Sequence, residues 1–193
     1  MNKQQNKQQK NQLKTPLDSV YVKNKLTRNV QLKINEIGKN IKQVLENKIK
    51  EQYEGKCINE GFIKKDTVQI TTYSCGRITP INDYINYSVI FEAMVCYLTT
   101  GMLLSCRVTN ITKAGITAES ATDIPSPIKV FITKDNHYNN EQFSTLNIGD
   151  KIVVSVIGQI YQLNDSLISA TAYLVRSQNL FLGNKRSEEH TSE

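Results

Sequence analysis

Between Gly101 and Leu174 the chain carries five short runs in which apolar and polar residues alternate, with turn-forming residues between them. This cadence constrains the fold more than any other feature, because a period of two places successive side chains on opposite faces of a strand. In the run Met102 to Ile111, Leu104, Cys106 and Val108 fall on one side and Ser105, Arg107 and Thr109 on the other. Ile116 and Ala118 alternate with Thr117 and Glu119, and Ile128, Val130 and Ile132 alternate with Lys129, Phe131 and Thr133. Phe131 is therefore a large aromatic in the polar phase. The fourth run, Lys151 to Tyr161, and the fifth, Leu167 to Leu174, flank Asn164-Asp165, and Ile168, Ala170, Ala172 and Leu174 share one face. Five such strands separated by turns predict a small barrel of the oligonucleotide-binding type, an architecture that reads polymers.

Charge qualifies that expectation. Residues 1–16 hold four cations and no acid, residues 17–97 hold 12 cations and nine acids, and residues 98–176 hold six of each. The net charge of +6 thus lies outside the barrel. Affinity for nucleic acid comes largely from neutralising phosphates, so a neutral barrel predicts weak binding or binding assisted by a partner.

Residues 1–14 are almost wholly Lys, Asn and Gln, a composition that cannot bury enough apolar surface to offset the entropy of ordering. They read as a disordered basic tail over 1–16, closed by Thr15-Pro16. From Leu17 to Ile34 the alternation of Val20 with Val22, then of Val30, Leu32 and Ile34, predicts a strand. Asn35 is expected to cap a helix whose stripe is Ile37, Ile41, Val44, Leu45 and Ile49, with Glu46 and Lys50 one turn apart. Cys57 and Ile58, then Val68, Ile70 and Thr72, then Tyr87, Val89, Phe91 and Ala93 mark three further strands. Strand, helix and three strands make an α+β unit over 17–97, joined by the short Thr99-Thr100-Gly101 to the barrel over 98–176, with a tail over 177–193.

No catalytic constellation emerges. The sequence has no phosphate-cradling G-x-x-x-x-G-K-[ST] or G-x-G-x-x-G run, and its acids are scattered. His137, the one histidine in a segment expected to fold, reads as a loop residue at the barrel edge. Cys57, Cys75, Cys96 and Cys106 stand singly, without metal-ligand spacing, and read as small buried hydrophobes. The expectation is a protein that is not an enzyme and holds no metal or cofactor. No apolar run is long enough to span a membrane, and the amino-terminal stretch has no apolar signal core, so an intracellular protein is expected.

The residues also carry a resemblance. Tyr53-Glu54-Gly55-Lys56-Cys57, Gly61-Phe62-Ile63, Cys75-Gly76-Arg77-Ile78-Thr79-Pro80, Tyr87 to Ala93, Gly101 and Ile128 to Lys134 occur in an order and spacing similar to the stalk subunits of multisubunit RNA polymerases. That family includes the seventh subunit of eukaryotic polymerase II and the archaeal E subunit, and the likeness covers about residues 18 to 175. It implies a ribonucleoprotein-like tip domain followed by an S1-type barrel of the oligonucleotide-binding fold.

The resemblance further implies that Gly76, Arg77, Ile78 and Pro80 dock on the polymerase core near the clamp of the largest subunit. It places the barrel at emerging RNA, so that Arg107, Lys113, Lys129, Phe131, Lys134 and His137 are the expected RNA contacts, with Tyr138 in the same turn. Two departures stand out. Ile116 follows the second-strand glycine where S1 barrels commonly place an aromatic, which implies a lost stacking platform, and the Asp135 to Leu146 connection is short. The Lys, Asn and Ile bias suits a large DNA virus encoding its own polymerase, with the protein then in virion and host cytoplasm; an AT-rich cellular genome would give the same bias, with the protein in a eukaryotic nucleus. A smaller companion stalk subunit is left open. So is the alternative of an independent S1-type RNA-binding protein of translation or RNA decay.

Overall fold

The structure, a computed structural model, describes residues 19–78, 83–137 and 141–177. Pro80, Tyr138 and the two terminal segments expected to be tails lie outside the described residues, except that Ser177 ends the last strand. The first half contains β1 (Tyr21–Lys33), α1 (Ile41–Tyr53), β2 (Cys57–Ile58), β3 (Gly61–Ile63), β4 (Gln69–Tyr73), β5 (Arg77–Ile78) and β6 (Tyr84–Cys96). β1 and β6 pair antiparallel along their whole length, from Tyr21 opposite Cys96 to Lys33 opposite Tyr84. The far side of β6 carries β3, β4 and β5 in succession, and β2 continues the sheet beyond β3. Five strands therefore follow the helix where three were expected. The two additional strands, β3 and β5, are three and two residues long, too short for alternation to show in the sequence.

The helix begins later than Asn35. Ile34–Glu36 form a 3-10 turn instead, in which the Glu36 carboxylate accepts the Lys33 backbone N–H at 2.9 Å. Gly38 then interrupts, a residue that costs about 1 kcal/mol inside a helix, and Asn40 takes the N-cap position. The expected stripe nevertheless faces the sheet: Leu45 and Ile49 are fully buried with Leu26, Val30, Leu32, Val89 and Phe91, and Ile37, Ile41 and Val44 pack around them. Each fully buried aliphatic of this kind contributes about 1.5–3 kcal/mol. Lys50 Nζ meets Glu46 Oε1 at 2.8 Å, as the one-turn spacing requires.

The second half contains β7 (Leu103–Ile111), β8 (Gly115–Ser120), β9 (Ile128–Thr133), β10 (Lys151–Ile160) and β11 (Ile168–Ser177). They close in the order β7-β8-β9-β11-β10 and back to β7. β11 runs parallel to β9, and every other pair is antiparallel. This closed Greek-key barrel is of the oligonucleotide-binding kind, and the molecule is α+β as its sequence predicts. Every residue assigned to the inward phase is buried, from Leu104, Cys106 and Val108 on β7 to Ile168, Ala170, Ala172 and Leu174 on β11.

The barrel core extends into the first half. Val20, Tyr21, Cys57, Phe62, Cys96 and Leu98 belong to the same buried cluster as the barrel interior. The Asn164-Asp165 turn pairs with the β2 edge: Cys57 N–H donates to Asp165 O at 2.8 Å and Asn164 N–H to Cys57 O at 2.9 Å. On the loop between β8 and β9, the buried Asp123 carboxylate accepts the Val20 N–H and the Thr122 hydroxyl and lies 3.5 Å from Lys64 Nζ. Burial pushes the thiol of Cys57 up to about 11 and those of Cys96 and Cys106 up to about 12. Cys75 departs from the expectation for the cysteines, since it is exposed in the connection between β4 and β5.

Candidate functional site

The outward phase of β7, β8 and β9 builds the first candidate surface. Arg107 on β7 stands opposite Glu119 on β8, which stands opposite Lys129 on β9. Strands lie about 4.8 Å apart, so Glu119 sits between the two cations and offsets one of them. Barrel closure adds a residue that sequence reasoning missed: Lys151 on β10 pairs with Arg107 on the other side. Linear spacing gives no hint of this, because the neighbour of the first strand is the fourth; only the closing order of the fold reveals it. Beside this row a groove of about 540 Å³ is lined by Arg107, Thr109, Glu119, Lys129 and the loop residues Ile124 and Pro125.

One step along the strands, Phe131 stands opposite Thr117. Its ring lies over Gly115, where a Cβ would come within 3.0 Å of Phe131 Cζ and would also strike the Ile132 carbonyl. Glycine is therefore required for β9 and its aromatic to approach β8 so closely. Phe131 stays half-buried, one side against the strand and the rest facing outward. A further step leads to the barrel end, where Lys134 N–H bonds Ala114 O at 3.1 Å and Lys113 occupies the turn from Thr112 to Gly115. Both lysines are exposed. The outer wall thus runs from a cationic row through one aromatic to a cationic rim, about 16 Å for the five residues from Lys129 to Lys134.

Two expected features of that wall are placed differently. His137 does not join it: the residue is 4 % exposed, and its ring lies between Phe143 and Tyr173, with centroids 5.1 and 4.3 Å away. Nε2 accepts the Leu174 backbone N–H at 2.8 Å, which leaves Nδ1 as the protonated nitrogen donating to Thr133 O at 2.8 Å. Both nitrogens are occupied in holding the β9–β10 connection against β11. Ile116 is likewise in the inward phase, 1 % exposed in the barrel core. An aromatic there would have entered the core, so Ile116 does not mark a missing platform; the outward neighbour is Thr117.

The second candidate surface is the short edge formed by β5. Arg77 pairs with Asn86 and Ile78 with Ile85 on β6. Ile78 is 73 % exposed and sets an apolar side chain at the surface of this edge. Gly76 lies against Ile85 and Tyr87, and a Cβ would come 2.8 Å from the Tyr87 ring. The glycine brings the connection down onto β6 and so holds Arg77 and Ile78 at the surface. Next to Arg77 a polar groove of about 550 Å³ crosses the open face of the sheet. The described residues hold no group of His, Cys, Asp or Glu suited to a metal ion, and no helix among them is long and apolar enough to cross a membrane.

Comparison with known proteins gives one curated relative. The chain is 30% identical over 110 residues to DNA-directed RNA polymerase II subunit 7 of Arabidopsis thaliana, across 56% of this chain and 59% of that protein. The resemblance read from the sequence is therefore shared with a curated polymerase subunit, of which the chain spans a little over half the length. No protein-family model matches. Among solved structures, an uncharacterized protein from Methanocaldococcus jannaschii matches at 19% identity and a TM-score of 0.30, covering 41% of this chain and 96% of that one.

Proposed function

We propose that this protein is a noncatalytic stalk subunit of a DNA-directed RNA polymerase, intracellular, docking on the core through the edge from Gly76 to Pro80 and touching nascent RNA with its barrel. The observation that carries the reading is the 30% identity with a polymerase II subunit 7. Physical features support the division of labour. Ile78 offers an apolar anchor and Arg77 a forked donor on an edge held in place by Gly76, a combination suited to protein contact. The barrel wall offers Arg107, Lys129 and Lys151 in one row, Lys113 and Lys134 at the rim, and Phe131 between.

Neutral barrel charge and a single half-buried ring make for weak, sequence-tolerant RNA contact. Such contact becomes effective when the polymerase holds the barrel where transcript emerges. The extension of the barrel core into the first half and the paired Asn164-Asp165 turn support a barrel held in place relative to the docking edge. The test is association. A tagged chain brings down the largest polymerase subunits, and Arg77→Glu or Ile78→Asp reduces the yield; a tagged chain that recovers no polymerase subunit removes the reading.

A further inference from the structure

The groove beside Arg77 has a defined floor. Two cross-strand rows build it on the sheet face away from α1: Gln31 opposite Asn86 opposite Arg77, and Asn29 opposite Ser88, with Ser74 N–H bonded to Ser88 O at 2.9 Å. Farther along this face charges occur in a compensated pair, Lys23 Nζ with Glu92 Oε2 at 2.7 Å. In the groove they do not. Among the described residues no carboxylate lies within ion-pair distance of Arg77, and the side chains of Asn29, Gln31 and Ser88 make no hydrogen bond. A guanidinium and three uncommitted amide or hydroxyl groups therefore converge on a space of about 550 Å³.

We infer that this groove receives an extended, carboxylate-bearing segment of a protein partner, its acid on Arg77 and its backbone on Asn29, Gln31 and Ser88. The inference rests on the docking role proposed for the β5 edge and names the chemistry of what docks. Amide and hydroxyl side chains match the alternating donors and acceptors of an extended peptide, and the guanidinium fork matches a carboxylate. RNA fits less well, because a lone cation neutralises little phosphate and the floor presents no exposed ring for a base. Charge complementarity also favours an acid, since the first half carries 12 cations against nine acids.

The experiment uses the full-length tagged chain co-expressed with its polymerase, with Gln31 replaced by photoreactive p-benzoylphenylalanine. Irradiation is expected to join it to a protein segment carrying Asp or Glu within a few residues of the crosslink. Ser88→Glu, which sets a carboxylate beside Arg77, should reduce crosslinking and core association about tenfold, as a like charge facing the incoming acid requires, while Ser88→Lys should not. A crosslink to RNA, to a segment without an acid, or to nothing overturns the inference, as does a Ser88→Glu chain that behaves like wild type. Ile78→Asp separates this inference from the docking reading. If Ile78→Asp loses the polymerase and Ser88→Glu keeps it, the edge docks and the groove is idle; if Ser88→Glu alone loses it, the groove stands and the edge does not dock. Ser88 and Ile78 are exposed, so thermal melts matching wild type establish that both variants fold.

Discussion

Replacing His137 with alanine separates a structural from an RNA-binding role. The β9–β11 ladder ends at Thr171 opposite Phe131, so the Leu174 N–H, three residues on, has no strand partner on that side and depends on His137 Nε2. Leu174 is 1 % exposed, so the N–H is left buried without its protein acceptor. An unsatisfied buried donor costs about 1–3 kcal/mol, and each lost stack, on Phe143 and on Tyr173, costs about 0.5–1.5 kcal/mol. A loss of about 3 kcal/mol follows, which for a chain of this size lowers Tm by roughly 6–12 °C. Thermal unfolding followed by circular dichroism measures the shift, and amide exchange at Leu174 reports the broken bond directly. RNA affinity, measured at a temperature where the variant is fully folded, should stay within about twofold of wild type, since no phosphate contact is removed. A variant that melts with wild type but loses RNA binding would refute this reasoning and return His137 to the binding face.

Phe131→Ala should weaken single-stranded RNA binding by about 1–3 kcal/mol if the ring stacks a base, and Lys151→Ala should flatten the salt dependence by about 0.7 in slope, one phosphate contact for a single strand, in filter-binding titrations; unchanged slopes would take Lys151 out of the wall. Thiol titration of the native protein should modify Cys75 rapidly and the other three cysteines only after denaturation, because Cys57, Cys96 and Cys106 are buried with thiols raised to about 11, 12 and 12. The Arg28 hydrogen bond holds the Glu60 carboxyl below its usual range, so the pair stabilises the fold above the unfolded carboxyl value of about 4.3 and loses that contribution as pH falls through the folded value. With Glu60 partly exposed, Glu60→Gln should cost under about 1 kcal/mol at neutral pH in urea unfolding, and the difference from wild type should shrink on acidification; a growing difference would contradict the pairing.

What the sequence shows of the fold follows from periodicity. The barrel strands are long enough for alternation to repeat, so Leu104, Cys106, Val108 and their counterparts are legible as core, and Phe131 as outward. β3 and β5 contain too few residues to display a period, and the helix starts late because Gly38 and the Glu36 contact to Lys33 compete locally with Asn35. Surface neighbours are harder still. Lys151 meets Arg107 only through barrel closure, and Asn29, Gln31 and Ser88 form a platform only through the register of β1 on β6. The burial of His137 is not legible, because a polar residue in a loop carries no sequence mark of a backbone N–H waiting across the barrel.

The proposed function depends above all on whether this chain is part of a polymerase. Affinity purification of the tagged chain under native salt, with every copurifying chain identified by mass spectrometry, makes that measurement. The expected result is the two largest polymerase subunits in near-equal amount to the bait, with recovery lowered by Ile78→Asp. Recovery of ribosomes or RNA-decay proteins, with no polymerase subunit, would contradict it.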